Sequence, residues 1–359
     1  MGLVLREAVF ATITVIISYL IYVHPFAVLA HLLLGSPILS TPAMLLSVGI
    51  AAVVLFYLRT HNSSPLLGGF THYGMGIGFI SLWTSHLGLG LAALWPDYTV
   101  VIGFISLAAT LILCLIAIIH GQSLTIKEVN LTSPKVSKVT RFIFISDVHL
   151  GSNPKAHLET IITKINDLDG EGLLIGGDLF DSSRFDPTDL APLKSMKMPV
   201  LFVTGNHEYY VRDHKGKLAA LSDYHIRHLD NEADKFLGLN LIGISDNLPA
   251  SEQAEIAGRL VQPDRFNLVM VHQPAIWGRL PKQADLMLSG HTHNGQIFPF
   301  NILVRLQFKA VYGLYRHLFE DGAMNQLYVS SGSGCWGPRM RLGTRNEIVR
   351  ISLHPEHSD

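Results

Sequence analysis

The chain has 359 residues, of which 48% are hydrophobic and only 15% charged, with a formal net charge of −1. A typical soluble domain carries about 25% charged residues, and here the deficit sits at one end, because only Arg6, Glu7, Arg59 and Asp97 precede residue 127. That asymmetry excludes a single soluble domain and a disordered chain. The near-neutral balance gives no footprint for nucleic acid, and two cysteines, Cys114 in an apolar run and Cys335, exclude a disulfide-rich scaffold.

A bilayer-spanning helix needs about 20 apolar residues. Four segments qualify, at about 8–33, 42–58, 75–95 and 98–120, so residues 1–126 read as an α-helical transmembrane bundle. Pro25 predicts a kink in the first span. A cleaved signal peptide is the rival reading there; the apolar core is too long for it, Arg6 is the only early basic residue, and three further spans follow. Arg6 also stands where a myristoylation motif wants Ser or Thr. In the third span, Gly74 and Gly78, then Ser81 and Ser85, have the small-xxx-small spacing that lets helices approach closely and gives a route to oligomers. His86, ionisable and inside that span, is a functional candidate by default; the alternative is a neutral ring satisfied by a neighbouring helix.

Lys and Arg mark the cytoplasmic side. With four spans, the N-terminus, the 59–73 loop and the chain after residue 120 share a side that carries Arg6, Arg59, Lys127, Lys135, Lys138 and Arg141, whereas the loops at 34–41 and 96–97 carry none. The expectation is a multi-pass protein of the cell (inner) membrane with a cytoplasmic C-terminal domain. One span fewer would reverse it.

Residues 127–138 read as a linker and 139–359 as a second domain. Arg141-Phe-Ile-Phe-Ile-Ser146 predicts a buried strand. Asn153-Pro154 opens a helix through Leu168, with Leu158, Ile161, Ile162 and Ile165 on one face. Further strands follow at 173–175, 200–203, 266–271, 286–288, 327–329 and 348–353. Alternation of strands and helices predicts an α/β domain with layered sheets.

Chemistry follows the strands. After the first comes Asp147-Val-His149, after the second Gly177-Asp178-Leu-Phe-Asp181, after the third Gly205-Asn206-His207-Glu208. The fourth ends at His272, and the fifth leads into Gly290-His291-Thr-His293. Loops at the carboxyl ends of strands are where α/β folds place ligands. Oxygen and nitrogen donors without a thiolate favour Mn, Fe or Zn over a sulfur-type zinc site. The i,i+2 spacing of Asp147 with His149 and of His291 with His293 predicts both side chains on one side of an extended backbone, and the glycines before Asp178, Asn206 and His291 allow tight turns. Each motif alone is ordinary loop chemistry; the ordered set is not.

The order Asp-x-His, Gly-Asp-x-x-Asp, Gly-Asn-His-Glu, His, Gly-His-x-His resembles the calcineurin-like metallophosphoesterase superfamily over roughly residues 139–354. The resemblance implies a four-layer α-β-β-α domain and two divalent metal ions, Mn first, with Fe or Zn as alternatives. Asp147, His149 and His293 would hold one ion, Asn206, His272 and His291 the other, and Asp178 would bridge them. His207 would contact the phosphate and protonate the leaving group, and Asp181 would at most orient a ligand or cap a helix. Two ions balanced by two carboxylates leave a positive site that attracts a phosphate ester. No Ser or Cys elbow points to a covalent intermediate.

Gly290-His-Thr-His-Asn-Gly-Gln296, the Gly332–Leu342 stretch and Asn346-Glu-Ile348 resemble the membrane-associated phosphodiesterase branch of YaeI- and YkuE-like proteins and of chlamydial-type UDP-2,3-diacylglucosamine pyrophosphatases. Asn294 departs from the Gly more usual there, and four spans exceed the usual single anchor. The resemblance implies a phospholipid-like substrate, with UDP-2,3-diacylglucosamine giving UMP and a lipid monophosphate; soluble nucleotides are the alternative, and a non-catalytic metal-binding sensor a third reading. The apolar stretch 297–316 carries Arg305, Lys309 and Arg316 and so is no span; a membrane-interface segment or ordinary core packing accounts for it. Arg339 and Arg341 either grip a diphosphate bidentately or end a solvated strand.

Overall fold

The computed structural model describes residues 2–60 and 64–356. Part of the expected 59–73 loop, residues 61–63, and the last three residues of the expected second domain lie outside the described residues. Two compact units form. One takes the chain up to Ile119 together with Gly337–Leu342, and the other takes His120–Trp336 and the chain from Gly343. The boundary therefore lies earlier than residue 126, and a six-residue segment from late in the chain packs with the helices.

The helical unit contains α1 (Gly2–Ser18), a π-helical turn (Tyr19–Val23), α2 (His24–Leu34), α3 (Thr41–Arg59), α4 (Pro65–Leu94) and α5 (Thr99–Gln122). By length and composition, four spans among the described residues suit a membrane: Leu5–Leu34, Thr41–Arg59, Pro65–Leu94 and Pro96–Gln122. The third starts ten residues before the expected 75. Ser64 caps it, its side chain accepting from Leu67 N with Pro65 in the first turn. Gly68, Gly69 and His72 had hidden that start. A π-helical turn stands where the kink was expected. Pro25 has no N–H to offer the carbonyl of Ile21, four residues back, and Gly78 lets that carbonyl approach, since a Cβ on Gly78 would stand 1.9 Å from Ile21 O. His86 is satisfied: Nδ1 donates to Leu82 O (2.7 Å), and Nε2 meets His24 Nε2 (3.0 Å), whose Nδ1 accepts from Tyr19 Oη (3.2 Å).

The second unit contains β1 (Leu124–Ser133), β2 (Thr140–Ile145), α6 (Lys155–Asn166), β3 (Leu173–Gly176), β4 (Val200–Val203), α7 (His214–Ala219), β5 (Ile226–His228), β6 (Glu232–Phe236), β7 (Leu239–Gly243), α8 (Ala250–Leu260), β8 (Asn267–Met270), β9 (Leu286–Ser289), α9 (Phe300–Gln307), β10 (Gly313–Leu318), β11 (Met324–Val329) and β12 (Asn346–Pro355). They make two six-stranded sheets, ordered β1-β12-β2-β3-β4-β5 and β10-β11-β9-β8-β7-β6. Phe142 and Phe144 of β2 face the second sheet and join Leu268, Leu286 and Tyr328. Ile143 and Ile145 point the other way, against Leu158, Ile161 and Ile165 of α6. On the far side, Ala254 and Ala257 of α8 cover Ile242, Val269 and Met287. The layers run α-β-β-α, which explains why the central strands are apolar on both faces rather than alternating.

The expected linker 127–138 is corrected: most of it is β1, parallel to β12 with Val129 opposite Ile351 and Leu131 opposite Leu353. Val129, Leu131 and Ser133 are buried while Glu128, Asn130 and Thr132 are exposed, a period-2 pattern diluted by polar and β-branched neighbours. β5, β6, β7 and β10 were also unforeseen. Three of these are sheet-edge strands, and β6 (Glu-Ala-Asp-Lys-Phe) carries the charge that protects such edges. In β7, buried Asn240 interrupts the apolar run, bonded to Asn267 Oδ1 at 2.8 Å.

Candidate metal centre

β2, β3 and β4 run parallel, as do β7, β8 and β9. Their carboxyl ends therefore open on one side of the sandwich, and the loops that leave them carry the predicted residues. Three groups of side chains bring ligand atoms within 4.8 Å of one another: Asp147, His149 and His293; Asp178, His272 and His291; and a third, His149, Asp181 and His207, that shares His149 with the first. His149 Nε2 faces His293 Nε2 at 3.1 Å, and His293 Nε2 lies 3.3 Å from Asp147 Oδ1. His272 Nε2 lies 3.0 Å from Asp178 Oδ2 and 3.3 Å from His291 Nδ1. Asp178 Oδ2 is also 3.8 Å from His149, and Asp147 Oδ1 is 4.0 Å from His272, so the two carboxylates stand between the groups.

The loop backbones reach this geometry by turning, not by extension. Asp147, His149, Asp178, His291 and His293 all adopt positive φ, between 49° and 72°. The i,i+2 expectation is corrected accordingly: side chains converge because left-handed residues flank Val148 and Thr292. The glycines serve close approach more than tight turning. Only Gly177 of the three has positive φ. A Cβ on Gly205 would lie 2.2 Å from Asp178 Oδ1, and one on Gly290 2.3 Å from Asp147 Oδ2.

Outer contacts fix the rings. His272 Nδ1 donates to Gly176 O at 2.9 Å, which leaves Nε2 for the centre. His149 Nδ1 lies 3.1 Å from Asp181 Oδ2, while Asp181 Oδ1 accepts from Ser152 N. Asp181 thus orients a ligand ring. Glu208, whose role the sequence left unassigned, is wholly buried and accepts from the backbone N of Asp178, Phe180 and Gly205, so it clamps two ligand loops together. Burial, with the Asp178 carboxylate nearby, pushes its carboxyl up to about 8.

The two histidines grouped with Asp178 are shifted in opposite directions. Burial opposes protonation of His272, but Asp178 outweighs it and raises the ring well above its ordinary value. Burial, then His272, lowers His291 to about 3. His207 is lowered to about 4, first by burial and next, among the lowering causes, by His149, against the pull of Asp178. Its backbone N donates to Asp178 Oδ1 at 2.9 Å, and its ring lies 4.9 Å from that of His149. Beyond it stand two exposed aromatics, Tyr210 at 5.4 Å and Trp336 at 5.8 Å between ring centroids. Neither was anticipated; Tyr210 lies three residues past His207, and Trp336 is held by paired backbone bonds with the Gln296 side chain.

The donor set fits divalent metal: seven oxygen and imidazole ligands, two buried carboxylates, and no sulfur. Asn206 adds a specific sign, because its Oδ1 is buried without a hydrogen-bond partner among the described residues. A buried amide oxygen left unpaired costs about 1–3 kcal/mol, which a cation offsets.

The remaining predicted residues lie elsewhere. Arg305 and Lys309 are exposed, on α9 and just beyond it. Arg339 and Arg341 fall in the segment that packs with the helical unit. Arg341 is fully buried and its N donates to Ala117 O at 2.7 Å, which corrects the expectation of a solvated strand end. Arg339 is half-buried.

Residues 140–295 match the family model of the Calcineurin-like phosphoesterase. An uncharacterized metallophosphoesterase of Helicobacter pylori is 34% identical over 243 residues, 65% of this chain and 64% of its own length. One from Campylobacter jejuni is 35% identical over 240 residues, 64% of this chain and 63% of its own. A transmembrane protein with metallophosphoesterase domain from Bos taurus is 32% identical over 238 residues, 59% of this chain and 52% of its own. The chain thus spans a little under two thirds of the bacterial relatives and about half of the animal one. Layered sheets, loop-end donors and family match define a calcineurin-like metallophosphoesterase domain. This chain carries that domain behind four helices of membrane-spanning length and composition.

Proposed function

We propose that the protein is a membrane-anchored, metal-dependent phosphodiesterase or pyrophosphatase, with its catalytic domain on the cytoplasmic side of the cell membrane and a phospholipid-like substrate. The observation that carries the hydrolytic reading is the convergence of Asp147, His149, Asp178, His272, His291 and His293, with the unpartnered Asn206 oxygen beside them. Bound divalent ions, Mn first, supply Lewis-acid stabilisation of the charge that develops on phosphoryl oxygens. The chain does the rest. Asp147, His149 and His293 would hold one ion and Asn206, His272 and His291 the other, with Asp178 shared, while Asp181 and Glu208 keep rings and loops in place.

His207 stands as a neutral imidazole, because burial holds it at about 4. An arriving phosphodiester anion raises that value, so the ring gains a proton as substrate docks and delivers it to the leaving oxygen. Such a proton transfer contributes about 10²–10⁴-fold. His207→Ala should keep bound metal and lose at least about a hundredfold in turnover; full activity in that variant would sink the assignment.

UDP-2,3-diacylglucosamine is the finer candidate; the spans and relatives named as transmembrane proteins support its membrane setting alone. Release of UMP and lipid monophosphate by detergent-purified protein with Mn²⁺, absent in His207→Ala, tests it. A second reading, soluble nucleotides, draws on the exposed Tyr210 and Trp336 rings, which offer stacking faces for a base. Turnover of nucleotide diesters with no lipid cleavage would select it.

A further inference from the structure

The stretch from Ile297 to Arg316 is built unlike the rest of the second unit. Phe298, Phe300, Ile302, Leu303 and Leu306 are all exposed, Leu306 to 80%, and within α9 only Val304 is buried. A contiguous exposed apolar face of this kind marks an interaction site. The stretch contains no Asp or Glu, while Arg305, Lys309 and Arg316 are exposed along it. Apolar side chains whose only charged neighbours within the stretch are cations match an anionic headgroup layer over an acyl boundary. The same chain carries four helices long and apolar enough to cross a bilayer.

The helix is also fastened to the metal-ligand loop at both ends. Gly295, two residues past His293, lies against Asn301 so closely that a Cβ would stand 2.2 Å from its Cα. At the other end, the Phe308 ring packs edge-on against His291, centroids 5.4 Å apart. Whatever holds α9 therefore holds the loop carrying His291 and His293.

We propose that α9 is an interfacial helix: its apolar face lies in the headgroup region of an anionic phospholipid bilayer and fixes the ligand loop at that surface. The inference deepens the lipid-substrate reading and rests on it for its purpose, since a loop held there meets a phosphoester presented by the membrane.

The test uses the full chain in vesicles of phosphatidylethanolamine and phosphatidylglycerol. Leu303→Cys and Leu306→Cys are labelled with an environment-sensitive fluorophore; Cys114 and Cys335 are buried and do not compete. Glu255→Cys, on the exposed side of α8, is the reference. Labels at 303 and 306 should emit blue-shifted and lose about half their intensity or more to lipid bearing a nitroxide near the headgroup, with no loss at 255. Water-like emission and no quenching at 303 and 306 would overturn the proposal, as would disulfide cross-linking of two copies through Cys at 303, which would make the face a contact between copies. The readout needs no turnover. Quenched labels on a protein that hydrolyses nothing would contradict the functional reading alone, and hydrolysis with unquenched labels would contradict the interfacial helix alone.

Discussion

Five of the candidate ligands, Asp147, His149, Asp178, His291 and His293, sit in the left-handed region that side chains with a Cβ avoid, at a cost of about 1–2 kcal/mol each. Local strain of this kind persists where surrounding contacts over-determine it. Here the contacts are Glu208 beneath two loops and glycines that let carboxylates press against backbone. Gly177 tests the point. It has φ +90, and a Cβ there would lie 2.7 Å from both Gly205 N and His272 Nδ1. Gly177→Ala should lower thermal stability by about 1–3 kcal/mol and weaken metal binding at the His272 position; calorimetric metal titration indistinguishable from wild type would contradict the close-packing argument. The residues that converge here were legible because each follows a short apolar run and carries a polar signature of its own. Glu208 was not: a carboxylate that serves three backbone N–H groups across two loops leaves no spacing in the sequence. The loop backbone was misread for a related reason, since i,i+2 spacing is equally compatible with extended chain and with left-handed turns.

At the scale of elements, β1 and β12 carry the two features that a sequence reading handled least well. β1 closes the first sheet as an edge strand, and its alternation is genuine but is spread over only three buried positions. Leu131→Ala should cost about 2–5 kcal/mol, read as a lower melting temperature, whereas Thr132→Ala on the exposed face should cost little. Equal effects would return this stretch to a linker. In β12, Glu347 is buried and accepts from Tyr328 Oη and Ser331 N on one oxygen and Tyr312 Oη on the other, tying three segments together. Burial raises its carboxyl above the ordinary value, so the folded chain holds this proton to higher pH than the unfolded chain does. Its contribution to stability is full below pH about 4.5 and is lost as pH rises through the folded value. The stability advantage of wild type over Glu347→Gln should therefore narrow as pH rises from 5 to 8 in parallel melts, and a widening gap would contradict the assignment. The central strands were easier: buried on both faces, they read as continuous apolar runs, and β4 falls at the expected residues.

For the whole molecule, the charge split at residue 127 already separated spans from sheets, because bilayer and water select opposite compositions. What composition cannot encode is a chain that returns: Gly337–Leu342 packs with the helical unit although over two hundred residues of sheet domain precede it, and Arg341, buried there, reads in sequence like any exposed cation. The proposed function has two divalent ions, held by Asp147, His149, Asp178, Asn206, His272, His291 and His293, at the centre of phosphodiester hydrolysis. The deciding experiment is the rate of aryl phosphodiester cleavage by this chain, stripped of metal with a chelator, as Mn²⁺ is added back, with Asp178→Asn as the comparison. The account predicts no cleavage without metal, recovery saturating near two ions per chain, and loss of both binding and cleavage in the variant. Cleavage that survives metal removal, or that Asp178→Asn leaves intact, would contradict it.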